Sequence, residues 1–176
     1  MVVIINGRGG VGKDTICNIV ENSYNTMNIS AIDPVKDIAR YCGWNGSKDF
    51  KSRWFLSELK GLLIEFNDLP FNHLMAEYNK FIGSSNDILF VHIREANEIE
   101  KFKKSVKDCA VVTLLVKSNT INTNNGYGNK SDDNTELYSY DYILENNGSL
   151  SDLEGSVENL LCMVFDDHQI VRSMKV

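Results

Sequence analysis

The chain is short of the features that staple, anchor or subdivide a protein. Four cysteines stand among 176 residues: Cys17, Cys42, Cys109 and Cys162. They form no CxxC pair and no metal-ligand spacing, which argues against a disulfide framework or a thiolate metal module. Three fall in apolar periodic stretches and read as buried free thiols, the state a reducing cytoplasm preserves. No apolar run approaches membrane-spanning length. The first residues lack a basic segment followed by a long apolar one, so no signal peptide is expected. No strongly basic run exists and the net charge is −6, which argues against a nucleic-acid polymer as main partner. There is no internal repeat and no linker long enough to separate domains. With 43% hydrophobic and 24% charged residues, the expectation is one soluble domain over 1–176, monomer or homodimer, with a substantial core.

What is present is concentrated at the front. Met1 to Asn6 reads MVVIIN, a short apolar run rich in β-branched residues. Gly7, Arg8, Gly9, Gly10, Val11, Gly12 and Lys13 follow at once, then Asp14, Thr15 and a helical pattern. A strand, a glycine-rich loop with the GxxxxGK spacing and a helix start are the context of a phosphate-binding P-loop. Glycines let backbone N–H groups turn inward around an anion. The helix adds its free N–H groups and the positive end of its dipole. Lys13 is placed to reach the β- and γ-phosphates of a nucleotide. The position after the lysine, where Ser or Thr usually binds magnesium, is Asp14, and the hydroxyl follows as Thr15. Two readings of Asp14 stay open: a carboxylate facing Mg²⁺, with its charge neutralised by the cation or Lys13, or a helix N-terminal charge that leaves the metal to Thr15. The bland alternative for the whole stretch is a glycine-rich turn.

The remaining pattern alternates strand and helix. The first helix is expected from about Lys13 to Tyr24, and a weak strand over 28–32. Asp33 and Pro34 then read as cap and first turn of a helix whose apolar face is Val35, Ile38, Ala39 and Cys42. Asp33 stands equally well as a helix cap and as a group orienting an acceptor or a metal's water shell. From Arg53, Phe55, Leu56, Leu59, Leu62, Leu63 and Phe66 repeat at three and four, the cleanest helical stripe in the chain and an expected core anchor. A second helix carries Phe71, Leu74, Met75, Tyr78, Phe81 and Ile82, and Gly83 stops it. Lys51 and Arg53 lie at the start of this pair, either as a solvated helix end or as holders of a phosphate. The run 88–93, broken by His92, reads as a buried central strand, with His92 as a core histidine. Arg94, just past its carboxyl end, points to the crevice where open α/β sheets bind ligands. Residues 110–116 form another buried strand. Lys117 to Asn134 holds six asparagines and almost no periodicity, the pattern of a surface loop. Tyr142, Ile143 and Leu144 form a last strand, Asn146 to Ser149 a turn, and Leu150, Leu153, Val157, Leu160, Leu161 and Val164 a last helix. Ser151 with Glu154 fits a capping box. The pattern predicts a three-layer α/β/α sandwich on a five-stranded parallel sheet.

The loop GRGGVGKDT resembles that of bacteriophage-type deoxynucleoside monophosphate kinases and, more loosely, of animal phosphomevalonate kinases. HIREANEIEKF and DYILENNGSL are similar to further stretches of the phage family, so the resemblance covers nearly the whole chain. It implies the P-loop nucleoside triphosphate hydrolase fold and transfer of the γ-phosphoryl of ATP, with Mg²⁺, to a nucleoside or deoxynucleoside monophosphate. Lys13, Arg94 and Asp33 would serve catalysis, and Arg53, Arg94 and Lys36 the acceptor. Gly7 to Thr15 would hold the donor, with backbone around Asn146 and Gly148 beside the adenine. Asp14 or Thr15 would hold the metal. A helical acceptor-binding insert would span about 44–83 and a lid about 117–134, carrying Lys117 and Lys130 but, unlike most lids of the family, no arginine. Many relatives have a carboxylate at the position of His92. A kinase of another small phosphorylated acceptor, such as dephospho-coenzyme A, and an ATP-binding module with little turnover are the alternatives.

Overall fold

The computed structural model describes residues 1–119 and 135–170. Among these, five strands alternate with six α-helices: β1 (Val2–Asn6), α1 (Lys13–Glu21), β2 (Thr26–Ser30), α2 (Asp33–Tyr41), α3 (Phe50–Asn67), α4 (Leu69–Ile82), β3 (Ile88–His92), α5 (Ala96–Ser105), β4 (Val111–Lys117), β5 (Tyr142–Glu145) and α6 (Leu150–Asp167). The expected α/β class and the five-stranded parallel sheet are both observed. The strand order is β2-β3-β1-β4-β5, and every pairing is parallel. No described helix is long and apolar enough to cross a membrane.

The apolar strands sit where their composition requires. β1 lies between β3 and β4, with Val3 opposite both Phe90 and Val112. Strand alternation sends Val3, Ile5, Phe90 and Leu114 to one face, against Ile16 and Val20 of α1 and Val157 and Val164 of α6. It sends Val2, Ile4, Leu89 and Val91 to the other, against Leu74 and Tyr78 of α4 and Ile99 and Phe102 of α5. Helices therefore cover both faces, as an all-parallel sheet demands. Each fully buried side chain of this kind contributes about 1.5–3 kcal/mol. Successive strands are laid first on one side of β1 (β2, β3) and then on the other (β4, β5). The carboxyl end of β1 is thus the switch point of the sheet, where a crevice opens.

Several local expectations are overturned. The stripe on α3 is not a core anchor: no residue of α3 is buried, and Leu62 and Phe66 are 63% and 83% exposed. This helix packs mainly on α2 and α4 and not on the sheet, so only Phe55, Leu56, Leu59 and Leu63 are half-covered. Ion pairs add to its hold, Lys60 with Glu98 at 2.6 Å and Lys101 with Asp68 at the α3–α4 junction. Of the cysteines only Cys17 is buried, Cys109 being half-buried and Cys42 and Cys162 exposed. Cys42 lies past the end of α2, and Cys162 lies on the outer face of α6. The weak strand comes two residues earlier than expected. α1 ends at Glu21, yet Tyr24 is buried, its ring 5.5 Å from that of Phe165. Asp33 is not a cap: it is the first residue of α2, and its carboxylate accepts from the Ser30 N–H at 2.9 Å.

The capping box of α6 is also shifted. It is formed by Ser149 and Asp152, each side chain bonded to the other's backbone N–H. The spacing matches that expected for Ser151 and Glu154, but the chain turns helical at Leu150, so the earlier serine is the cap. Ser149→Ala should lower stability by about 1 kcal/mol in urea unfolding. Ser151→Ala should stay within about 0.5 kcal/mol, and the reverse ranking would contradict this assignment.

Candidate functional site

The loop from Gly7 to Gly12 leaves β1 at the switch point. Gly7 (φ 141°) and Gly12 (φ 98°) hold backbone that side chains resist. A Cβ on Gly7 would run into the Val116 carbonyl oxygen, and one on Gly12 would lie 2.5 Å from Asn146 Nδ2. Gly12 is the left-handed N-cap of α1, so the first N–H groups of that helix open onto the loop.

Two asparagines brace the loop. Asn146 Nδ2 donates to the Val11 carbonyl at 3.0 Å. Its N–H donates to the Lys117 carbonyl at 2.8 Å, and its own carbonyl accepts from Ser118 Oγ at 2.7 Å. Both backbone groups of Asn146 itself are thus engaged within the protein. Gly148 lies exposed in the following turn, tight against Asp152. Asn6, buried at the end of β1, accepts the Gly7 N–H on Oδ1 at 2.8 Å. Its Nδ2 donates to the Arg94 carbonyl at 3.1 Å and the Tyr140 hydroxyl at 2.8 Å.

Lys13 folds back over the loop. Its Nζ donates to the carbonyls of Gly7 at 2.7 Å and Arg8 at 2.8 Å. Burial and then the nearby Arg94 charge lower its pKa from 10.5 to about 8, against the opposing pull of Asp14. An anion at the loop would relieve this cation. Asp14 and Thr15 are both exposed in the first turn of α1. The Asp14 charge is felt at Lys13, Cys17 and His92.

His92 closes the inner wall. Its Nε2 lies 4.0 Å from Cys17 Sγ. Burial lowers its pKa; Asp14 and Asp33 oppose that and Lys13 and Lys36 reinforce it. The half-buried histidine thus stands among four charged candidates rather than in an apolar core. Asp33 pairs with Lys36 at 3.4 Å. Burial and the Asp14 charge push the Cys17 thiol up to about 12, so it stays a thiol. Arg94 follows β3 into the crevice, crowded by protein yet open to solvent. Its pKa is lowered first by this desolvation and then by Arg53, with Glu95 opposing. Arg53 Nε donates to the Lys48 carbonyl at 2.7 Å; Lys51 is exposed.

On the far side of the loop, Glu136 lies 3.2 Å from Arg8 Nε and 3.7 Å from Lys117 Nζ. Lys130 and most of the expected lid lie outside the described residues. The parallel sheet carries Lys13, Asp14, Asp33, Lys36, His92 and Arg94 to the same carboxyl edge, where the Arg53 charge reaches Arg94 and where Arg8 and Lys117 both pair with Glu136. Sequence reasoning missed Asn6, Tyr140 and Glu136. Asn6 had a signal, a polar residue closing an apolar strand at the loop; the other two had none. Among the described residues no group of three or more His, Cys, Asp or Glu is placed to hold a metal ion. A hard cation at Asp14 would therefore fill its shell with water and ligand oxygens.

In comparisons with known proteins, the chain matches no protein-family model and no curated protein sequence.

The depressed Lys13 has a consequence for pH. Between about 8 and 10.5 the unfolded chain holds this proton and the folded chain does not. Lys13 therefore weighs fully against folding below about pH 8, and stability from this group rises with pH above it. Seating an anion reverses the shift. Binding of sulfate, which does not itself titrate at this pH, should at about pH 9 be accompanied by uptake of a proton, read by calorimetry in two buffers of different ionisation enthalpy. Lys13→Met should abolish the uptake.

Proposed function

We propose that this chain is a P-loop kinase that transfers the γ-phosphoryl of ATP to a nucleoside or deoxynucleoside monophosphate. The observation that carries the proposal is the meeting of Lys13 and Arg94. They come from the loop after β1 and the end of the neighbouring β3, and the Arg94 charge is felt at Lys13. A phosphoryl transfer needs a cationic donor cradle beside a cationic acceptor cradle, with reacting oxygens in line between them. The resemblance of GRGGVGKDT to the phage-type kinases supports the same reading.

In this proposal the loop N–H groups and Lys13 bind the donor phosphates, Lys13 exchanging its two carbonyl partners for phosphate oxygens. Arg94, with Arg53 and Lys36 nearby, binds the acceptor phosphate. Asp33 orients the acceptor side. The carboxylate of Asp14, exposed in the first turn of α1 beside Lys13, fits a hydrated Mg²⁺. Bound there with ATP, Mg²⁺ would supply charge neutralisation at the β- and γ-phosphates. Nothing in this set forms a covalent intermediate; the residues position and neutralise. Substrates would be small nucleotides, and the four free cysteines suit a reducing cytoplasm.

The test is ADP release from ATP and Mg²⁺ across a panel of nucleoside and deoxynucleoside monophosphates, phosphomevalonate and dephospho-coenzyme A. Release should depend on a nucleoside monophosphate and vanish in Lys13→Met, which should stay folded. ATP binding without release for any acceptor would leave only a nucleotide-binding module. Arg94→Ala should cost about 1.5–3 kcal/mol in acceptor kcat/KM, with a much smaller change in the KM for ATP. An effect confined to ATP would move Arg94 to the donor side. Asp14→Asn should raise the Mg²⁺ concentration for half-maximal activity several-fold with little change in Tm. A lower Tm at unchanged Mg²⁺ requirement would leave Asp14 as a helix-terminal charge.

A further inference from the structure

Asn6 is 1% exposed on a strand whose other residues are aliphatic, yet its amide has its oxygen and both its donors engaged. Oδ1 takes the N–H of Gly7, the first residue of the loop, at 2.8 Å. Lys13 in turn grips the Gly7 carbonyl at 2.7 Å. Nδ2 donates to the carbonyl of Arg94 at 3.1 Å and to the hydroxyl of Tyr140 at 2.8 Å. That hydroxyl donates onward to the Thr135 carbonyl at 2.8 Å. A single buried amide therefore sits between the backbone of the loop and the backbone that carries Arg94.

We infer that Asn6 is a positioning residue that sets the loop and Arg94 in register, fixing the distance between the two phosphate cradles. This rests on the kinase reading above. Few side chains suit the place. A serine hydroxyl is too short to span Gly7, Arg94 and Tyr140. Leucine would fill the volume but leave buried polar groups without partners. An aspartate keeps the acceptor for Gly7 but not the two donors: ionised it donates to neither Arg94 nor Tyr140, and protonated to only one of them. The sheet alone does not do this work: the β1–β3 register ends at Ile5 with His92 and β1 is last paired at Asn6, with Leu115 of β4, so no ladder bond joins Gly7 to Arg94. Misplacement of two reacting groups by about 1 Å is enough to lose on the order of 100-fold in rate, so a link of this kind acts on turnover more than on the affinity of either ligand.

The test uses Asn6→Asp and Tyr140→Phe in the full chain, assayed well below their melting temperatures. Asn6→Asp should lower kcat by about 10- to 100-fold while the Kd for ATP changes by less than about 3-fold, the Gly7 bond being kept. Tyr140→Phe, which removes one hydroxyl and leaves the ring in place, should lower kcat by about 3-fold in the same direction. A merely structural role would lower Tm and leave kcat of the folded enzyme alone, and that result would overturn the inference. Should Asn6→Asp not fold, Tyr140→Phe decides by the same split between kcat and Kd. The kinase reading fails separately: a wild-type chain with no acceptor-dependent ADP release overturns that reading and this inference with it. A wild-type chain that turns over beside an unimpaired Asn6→Asp overturns this inference only.

Discussion

All five strands run in one direction, and the rest of the molecule follows from that constraint. A parallel sheet brings every strand's carboxyl end to the same edge. The glycine-rich loop, the start of α2, Arg94 and the turn at Asn146 all follow such ends. None is near another in sequence, yet they meet because the ladder holds β1 between β3 and β4. The apolar register of Val2 to Ile5 is thus a condition of the site, since those residues fix the level at which each loop leaves the sheet.

Charge at that edge is concentrated and only partly balanced within the protein. Lys13 and Arg94 are both held below their ordinary pKa by desolvation and by like charge. Asp14 and Asp33 offset some of this. Lys13 is the half-buried one of the two, and a cation that has lost part of its water interacts strongly with an incoming anion. Folding bears that strain, a common arrangement at functional sites. His92 sits within this set with its pKa depressed, so its neutral form is favoured beside the cations.

The polar bracing of the loop complements the electrostatics. Glycine backbone is conformationally free until something holds it. Here Asn6 holds Gly7 from the sheet side, and Asn146 holds Val11 from the side of β5 and α6. The helical pair α3 and α4 is less firmly seated. α4 buries Leu74, Tyr78 and Phe81 against the sheet, whereas α3 rides outside on α2 and α4. An element with little buried apolar area is the one expected to move most easily.

The sequence by itself determined the order of elements, the parallel class of the sheet and the position of the loop. These are local or periodic properties: β-branched runs, glycine spacing and a lysine at fixed offset are visible within a few residues. It also located Arg94, because an arginine just past a buried strand has one available edge. Tertiary structure alone decided what α3 covers, since a clean apolar stripe says that a helix has a face but not whether the sheet is free to receive it. It decided which cysteines are buried, and that Ser149 rather than Ser151 is the cap, because one residue of helix start moves the whole box. It decided that the Asn146 side chain holds the loop while its backbone is bonded at the end of β4, and that Asn6 links the loop to Arg94. Those bonds join residues far apart in the chain, and their geometry exists only once the strands have paired.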